Sequence, residues 1–427
     1  MPVDHRSGSL RPVRRGRCVG HHGAMTRFAS GLAQIGGPAR DLPAAAEVAT
    51  GQALAGMGGD DPDLACVFVT GEVGDVEGAL LRARALTGAR VAIGCSAGGV
   101  IGAGRGVEAR PAVSVWVAAL PGARLRPFHL DVVRMPESAA DEPVDPASPS
   151  AIAVVGMPRR HETDRLAVVL ADPWTFPADA FVDRSTDALA ALPLVGGLAA
   201  GGGTRGSTRL LLDGQVHERG AVGVVLAGPV DVRTVVSQGC RPVGPAMTVT
   251  AADGNALLGL AGAPALTKLA GVLAAMSPAD LALARDLLQV GIARDEYLDD
   301  PGLGDFLVRG VVGVDQERDA VLVGDVVQVG QTVQMHVRDP GTAAAELVDQ
   351  LTRLCADERF GPARGALLFS CNGRGRALFP DSDHDVTAVR AALGLEAVTG
   401  FFAAGEIGPV GGRNHLHGFT ASLAVFG

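Results

Sequence analysis

The chain has 427 residues, with 59 glycines, 26 prolines and a net charge of −9. Apolar residues make up 47% and charged residues 19%, a globular composition that excludes a disordered chain, and no G-X-Y period marks the glycines as collagen. The acidic balance argues against a dedicated nucleic-acid binder. Of the 37 basic residues only Lys268 is lysine, a bias that reads as genomic rather than functional.

Residues 1–24 carry five arginines (Arg6, Arg11, Arg14, Arg15, Arg17) against one acid, Asp4, and lack the apolar core of a signal peptide. We expect a disordered tail or an over-called translation start before Met25. The longest charge-free stretch, Ala188 to Thr204, holds Pro193 and five glycines, so no membrane span is expected. Six scattered cysteines (Cys18, Cys66, Cys95, Cys240, Cys355, Cys371) contain no CxxC. Reduced, mostly buried thiols in a cytoplasmic protein fit that pattern.

Three segments share one plan. Each opens with an apolar strand (64–69, 166–171, 366–370), continues with a helical pattern (75–87, 178–191, 383–394) and runs a second strand into a small-residue turn. The turns are Gly94-Cys95-Ser96-Ala97-Gly98, Gly197-Leu198-Ala199-Ala200-Gly201 and Phe401-Phe402-Ala403-Ala404-Gly405. A further strand closes each unit, at 113–120, 221–228 and 421–427. Residues 136–151, with four prolines and four acids, read as a linker between the first two units. After the second unit, Ser277-Pro278-Ala279-Asp280 forms a capping box that opens a helix carrying Leu281, Leu287 and Leu288 on one face. Residues 305–338 alternate in Val-rich runs as an antiparallel meander, and a helix follows at 343–357. The fold class expected is α/β tending to α+β: mixed sheets of repeated strand–helix–strand units plus the meander, in two associated domains.

Several motifs compete for chemistry. Gly94 to Gly98 matches the G-x-S-x-G nucleophile elbow, but a Gly-rich strand follows where a helix is needed, and the matching positions are Ala199 and Ala403. Gly201 to Thr208 lacks the lysine and the helix of a phosphate-binding loop. Cys371-Asn372-Gly373-Arg374-Gly375-Arg376 follows a strand where open α/β sheets place ligands. If the hexad is extended, Arg374 and Arg376 share a side and offer guanidinium forks to a carboxylate. Glu406 lies in an apolar stretch and needs a partner, an internal arginine or a ligand amine. His415 and His417 give only a weak zinc signal. No metal, cofactor or catalytic residue is expected. The alternatives are a hydrolase-type enzyme using Ser96 or Cys371, or a scaffold that recruits a partner.

The stretches IGCSAGGVIG (93–102), VSQGCRPVGPAMTVT (236–250), GDFLVRG (304–310), FSCNGRGRALF (369–379) and GFFAAGEIGPV (400–410) resemble the FIST family. The resemblance runs from about residue 26 to the end and implies an N-terminal FIST domain over 26–235 and a C-terminal one over 236–427. It also implies an intracellular bacterial sensory module for a small ligand, with amino acids the usual suggestion, acting in signal transduction through a separate signalling protein. No membrane or nucleic-acid partner is implied. The family carries no catalytic residues to transfer. The candidate ligand-binding set is Arg241, Arg309, Cys371, Asn372, Gly373, Arg374, Arg376, Glu406, Asn414 and His415.

Overall fold

A computed structural model describes residues 25–134, 152–298 and 304–427. The expected tail at 1–24 and the expected linker at 136–151 lie outside the described residues.

The first repeat runs β1 (Arg27–Gln34), α1 (Leu42–Gly56), β2 (Leu64–Thr70), α2 (Val73–Thr87), β3 (Val91–Ser96), the hairpin β4 (Gly99–Gly102) and β5 (Arg105–Glu108), and β6 (Ala112–Ala119). The second runs β7 (Arg124–Arg134), β8 (Ile152–Val155), β9 (Asp164–Ala171), α3 (Ala178–Ala188), β10 (Leu194–Leu198), the hairpin β11 (Leu210–Leu212) and β12 (Gln215–His217), and β13 (Ala221–Ala227). The third begins with β14 (Val232–Ser237) and is then interrupted by an insertion. The insertion comprises β15 (Cys240–Asp253), β16 (Ala256–Leu260), β17 (Ala263–Pro264), α4 (Ala265–Ala275), α5 (Pro278–Leu287), β18 (Leu288–Ala293), β19 (Phe306–Asp315), β20 (Ala320–Val323) and β21 (Thr332–Arg338). The repeat resumes with α6 (Pro340–Ala356), β22 (Gly365–Cys371), α7 (Gly375–Leu378), α8 (His384–Leu393), β23 (Val398–Ala403), the hairpin β24 (Glu406–Val410) and β25 (Arg413–His417), and β26 (Ala421–Phe426).

The mixed α/β architecture follows from the strand pattern. In each repeat two parallel strands, β2–β3, β9–β10 and β22–β23, are joined by a helix, the connection that a parallel pair requires. Their residues are apolar on both faces, as strands covered twice must be. Leu64, Cys66 and Phe68 point into a core shared with Leu166, Val168 and Leu170 and with Leu367 and Phe369. Ala65, Val67 and Val69 point the other way, against α1 and α2. The inner faces of the three sheets thus meet in one core, where Phe68 and Phe401 from different repeats lie 5.1 Å apart, centroid to centroid.

The hairpins do not stay with their own repeats. β4–β5 adds to the third sheet through Val100 opposite Phe401, β11–β12 to the first through Leu210 opposite Cys95, and β24–β25 to the second through Ile407 opposite Gly196. The exchange is cyclic, and the small-residue turns are the points where the chain leaves one sheet for the next. The same registers align Ser96 with Leu198 and Phe402, because Val69, Ala171 and Ser370 face them across the parallel pairs. Leu198 and Phe402 therefore take the positions that the sequence comparison gave to Ala199 and Ala403.

The expected meander is part of a larger closed sheet. β15 pairs with β21, β21 with β18, β18 with β19, β19 with β20, β20 with β16, and β16 again with β15, all antiparallel. This six-stranded barrel has its own core of Val249, Leu260, Val290, Val321, Val333 and Met335, to which α4 contributes Leu269 and Val272. The capping box forms as expected, with Ser277 Oγ accepting from the Asp280 N–H. Leu288 lies outside that helix, as the first residue of β18. α6 starts earlier than the pattern suggests, at Pro340, because Asp339 caps it by accepting from the Thr342 N–H.

Candidate functional site

The arginine hexad is not extended. After β22 the Asn372 N–H donates to the Ala403 carbonyl at 2.8 Å and the Arg374 N–H to the Cys371 carbonyl at 2.8 Å, and α7 makes one helical turn. That turn sends Arg374 inward and Arg376 outward, so the two do not share a side. Arg374 is fully buried and grips Asp385 with both arms of its fork, Nε to Oδ2 at 2.8 Å and Nη2 to Oδ1 at 2.9 Å. Ser370 Oγ donates to the same carboxylate at 2.7 Å. Burial raises the Asp385 pKa, but the Arg374 guanidinium and the surrounding donors outweigh it and hold the carboxyl far below its ordinary range.

The 236–250 motif packs around this pair. Glu346 Oε2 accepts from the Gly239 N–H at 2.6 Å and from Ser237 Oγ at 3.2 Å. Gly239 has φ +68°, and a Cβ there would stand 2.8 Å from Arg374 Nη1. Arg338 lies over the Phe419 ring at 4.1 Å and donates to the Gly373 carbonyl at 2.6 Å. Glu406 is fully buried, its Oε2 accepting from the Thr420 N–H at 3.0 Å. Burial raises its pKa well above the usual carboxylate value. Burial, then Glu406, pushes the Cys371 thiol up to about 12, which leaves no thiolate. Ser96 is buried with its hydroxyl oxygen accepting from the Arg209 N–H at 2.9 Å, and strand β4 follows it.

A cavity of about 950 Å³ lies elsewhere, between the barrel and the end of the second sheet. The barrel contributes Arg309, Gly310, Val312, Asp325 and Val326; α3 contributes Asp179, Asp183 and Arg184; β25 and its flank contribute His415, Leu416, His417 and Phe419. Arg309 Nε donates to Asp325 Oδ2 at 2.7 Å and Nη1 to the Val308 carbonyl at 3.3 Å. Burial, followed by the charge of Arg309, lowers the His415 pKa to about 4, so the imidazole is neutral. Asn414 faces this cavity and fixes the hairpin: its Oδ1 accepts from the Leu194 N–H, and its Nδ2 donates to Ser185 Oγ and the Leu192 carbonyl, each at 3.0 Å.

The ten candidate residues therefore divide. Arg309, Asn414 and His415 share the cleft. Cys371, Gly373, Arg374 and Glu406 belong to the buried network behind it. Asn372 is exposed where the turns converge, its side chain near Gly98. Arg376 borders a separate hollow of about 180 Å³, its backbone N–H donating to the Glu108 carboxylate at 3.1 Å. Arg241 pairs with Asp280 at a groove of about 720 Å³ beside Lys268. Asp325, Asp179 and Asp183 escaped the sequence reading. Only the Gly324 turn signal lay near one of them, and acids on a helix face read as solvated. Among the described residues no group of three or more His, Cys, Asp or Glu side chains is placed to hold a metal ion.

The FIST N domain model matches residues 63–263 and the FIST C domain model residues 265–409. The chain belongs to the FIST family. FIST domains are small-ligand-binding sensory domains. The uncharacterized protein Rv0628c of Mycobacterium tuberculosis is 41% identical over 389 residues, 91% of this chain and 97% of its own length. The uncharacterized protein Mb0898c of Mycobacterium bovis is 40% identical over 391 residues, 90% of this chain and 96% of its own length. Among the described residues of this FIST protein no helix is long and apolar enough to cross a membrane.

Proposed function

We propose that this FIST protein senses an amino acid or a related small carboxylate bound in the cleft between barrel and second sheet. The observation that carries this reading is the Arg309–Asp325 pair, at 2.7 Å, facing a cavity of about 950 Å³. A guanidinium and a carboxylate side by side supply the two charges that a zwitterion needs. Apolar side chains such as Ile292, Leu307, Val323 and Leu416 share the cavity wall with these polar groups, a mixture suited to a small polar ligand.

The position of the cleft also supports a sensory role. Arg309 belongs to the barrel, whereas His415 belongs to a hairpin embedded in the second sheet. A ligand touching both ties the barrel to the three-sheet body, a change that a separate signalling protein can read. A thermal-shift screen of amino acids and small carboxylates tests the proposal. A ligand present at 100 times its Kd is expected to add about 2.7 kcal/mol of stability. Arg309→Ala should remove that gain. No shift with any compound, or an unchanged shift in Arg309→Ala and Asp325→Asn, rejects the site.

A further inference from the structure

His417 stands on β25 among the residues that line the cleft and is only 3% exposed. Its Nε2 lies 3.0 Å from the Gly408 carbonyl oxygen. A carbonyl only accepts, so Nε2 carries the proton and Nδ1 is the bare nitrogen with a lone pair. That Nδ1 is buried and has no hydrogen-bond partner among the described residues. Buried polar atoms are rarely left unanswered, and one in a ligand cleft is answered most simply by the ligand. Burial and the nearby charge of Arg309 depress the imidazole pKa to about 3, which keeps Nδ1 an acceptor at neutral pH.

Arg309 is the same group that would hold the ligand carboxylate. A ligand atom facing His417 therefore lies close to that carboxylate. We propose that His417 Nδ1 reads a hydrogen-bond donor on the carbon next to the carboxylate, so that the cleft takes 2-amino and 2-hydroxy acids and discriminates against 2-keto and unsubstituted acids. The inference rests on the placement of the ligand in this cleft. Asp179, Asp183 and Asp325 further favour an ammonium over a hydroxyl, because they outnumber Arg184 and Arg309 in the lining.

Calorimetric titration of the full chain with matched acids tests this. One series is leucine, 2-hydroxy-4-methylpentanoate, 4-methyl-2-oxopentanoate and 4-methylpentanoate. Parallel series carry methyl and benzyl side chains. In at least one series the amino and hydroxy members should bind roughly tenfold or more tightly than the keto and unsubstituted members, the worth of one buried hydrogen bond. The difference should collapse in His417→Phe. Equal binding within every series, or discrimination that survives His417→Phe, overturns the assignment to His417 and leaves the cleft standing. No binding in any series overturns the cleft itself. Where His417→Phe does not fold, the imidazole 15N resonances of the native chain decide. Nδ1 should move from a free to a hydrogen-bonded shift on adding the tightest amino acid and stay in place with its keto analogue. An Nδ1 that is unmoved by a bound amino acid overturns the inference.

Discussion

Arg374 and Arg376 stand two positions apart and meet opposite fates. Arg374 is sealed inside on Asp385, while Arg376 is exposed with only its backbone tied to Glu108. Removing one partner of a buried ion pair strands the other charge and costs about 3–5 kcal/mol. Removing a solvated guanidinium typically stays within about 0.5 kcal/mol. Arg374→Ala should therefore unfold at far lower denaturant than the parent, and Arg376→Ala should be nearly unchanged. Equal midpoints for the two variants would show that the Asp385 pair contributes nothing. The sequence made both arginines visible but not their separation. A Gly-rich loop reads as open, and the acid that draws Arg374 inward lies at the start of a helix 11 residues on.

At the scale of elements, glycine has two distinct uses, which composition alone does not separate. Gly400 lies in β23, where a Cβ would fall 1.6 Å from the Leu368 carbonyl oxygen of the adjacent parallel strand. No rotamer relieves a clash with backbone. Gly400→Ala should force β22 and β23 apart and cost on the order of 3 kcal/mol. Gly51 lies within α1, and a Cβ there meets nothing within 4 Å. Gly51→Ala should stabilise by about 0.5–1 kcal/mol through helix propensity and a less entropic unfolded chain. Paired melting curves check both signs, and a stable Gly400→Ala would mean that the strands tolerate a wider spacing than the structure shows. The three repeats and the capping box were legible because they rest on local periodicity and local hydrogen bonding. The closure of the barrel was not, because an alternating pattern marks a strand without naming its neighbour.

The same blindness to neighbours hid the feature that organises the whole molecule. Each sheet is completed by a hairpin from another repeat, and the third repeat both gives a hairpin to the second sheet and receives one from the first. Cutting the chain between 235 and 236 therefore leaves two damaged parts. The first half would lose β24–β25 from the edge of β10, exposing Gly196 and Gly197 with their unpaired backbone. The second would lose β4–β5 from the edge of β23, beside the fully buried Phe401. Open edges next to apolar cores are unstable and prone to aggregation. We expect residues 25–235 and 236–427, each produced alone, to give poorly dispersed amide spectra and no cooperative melt. Co-produced, the two should associate into a complex that melts cooperatively and regains ligand response, because His415 and Arg309 come from one fragment while Asp179 and Asp183 come from the other. A cooperative transition in either isolated half would show that its sheets close without the borrowed hairpin, and the cleft would then have to form from parts that fold apart.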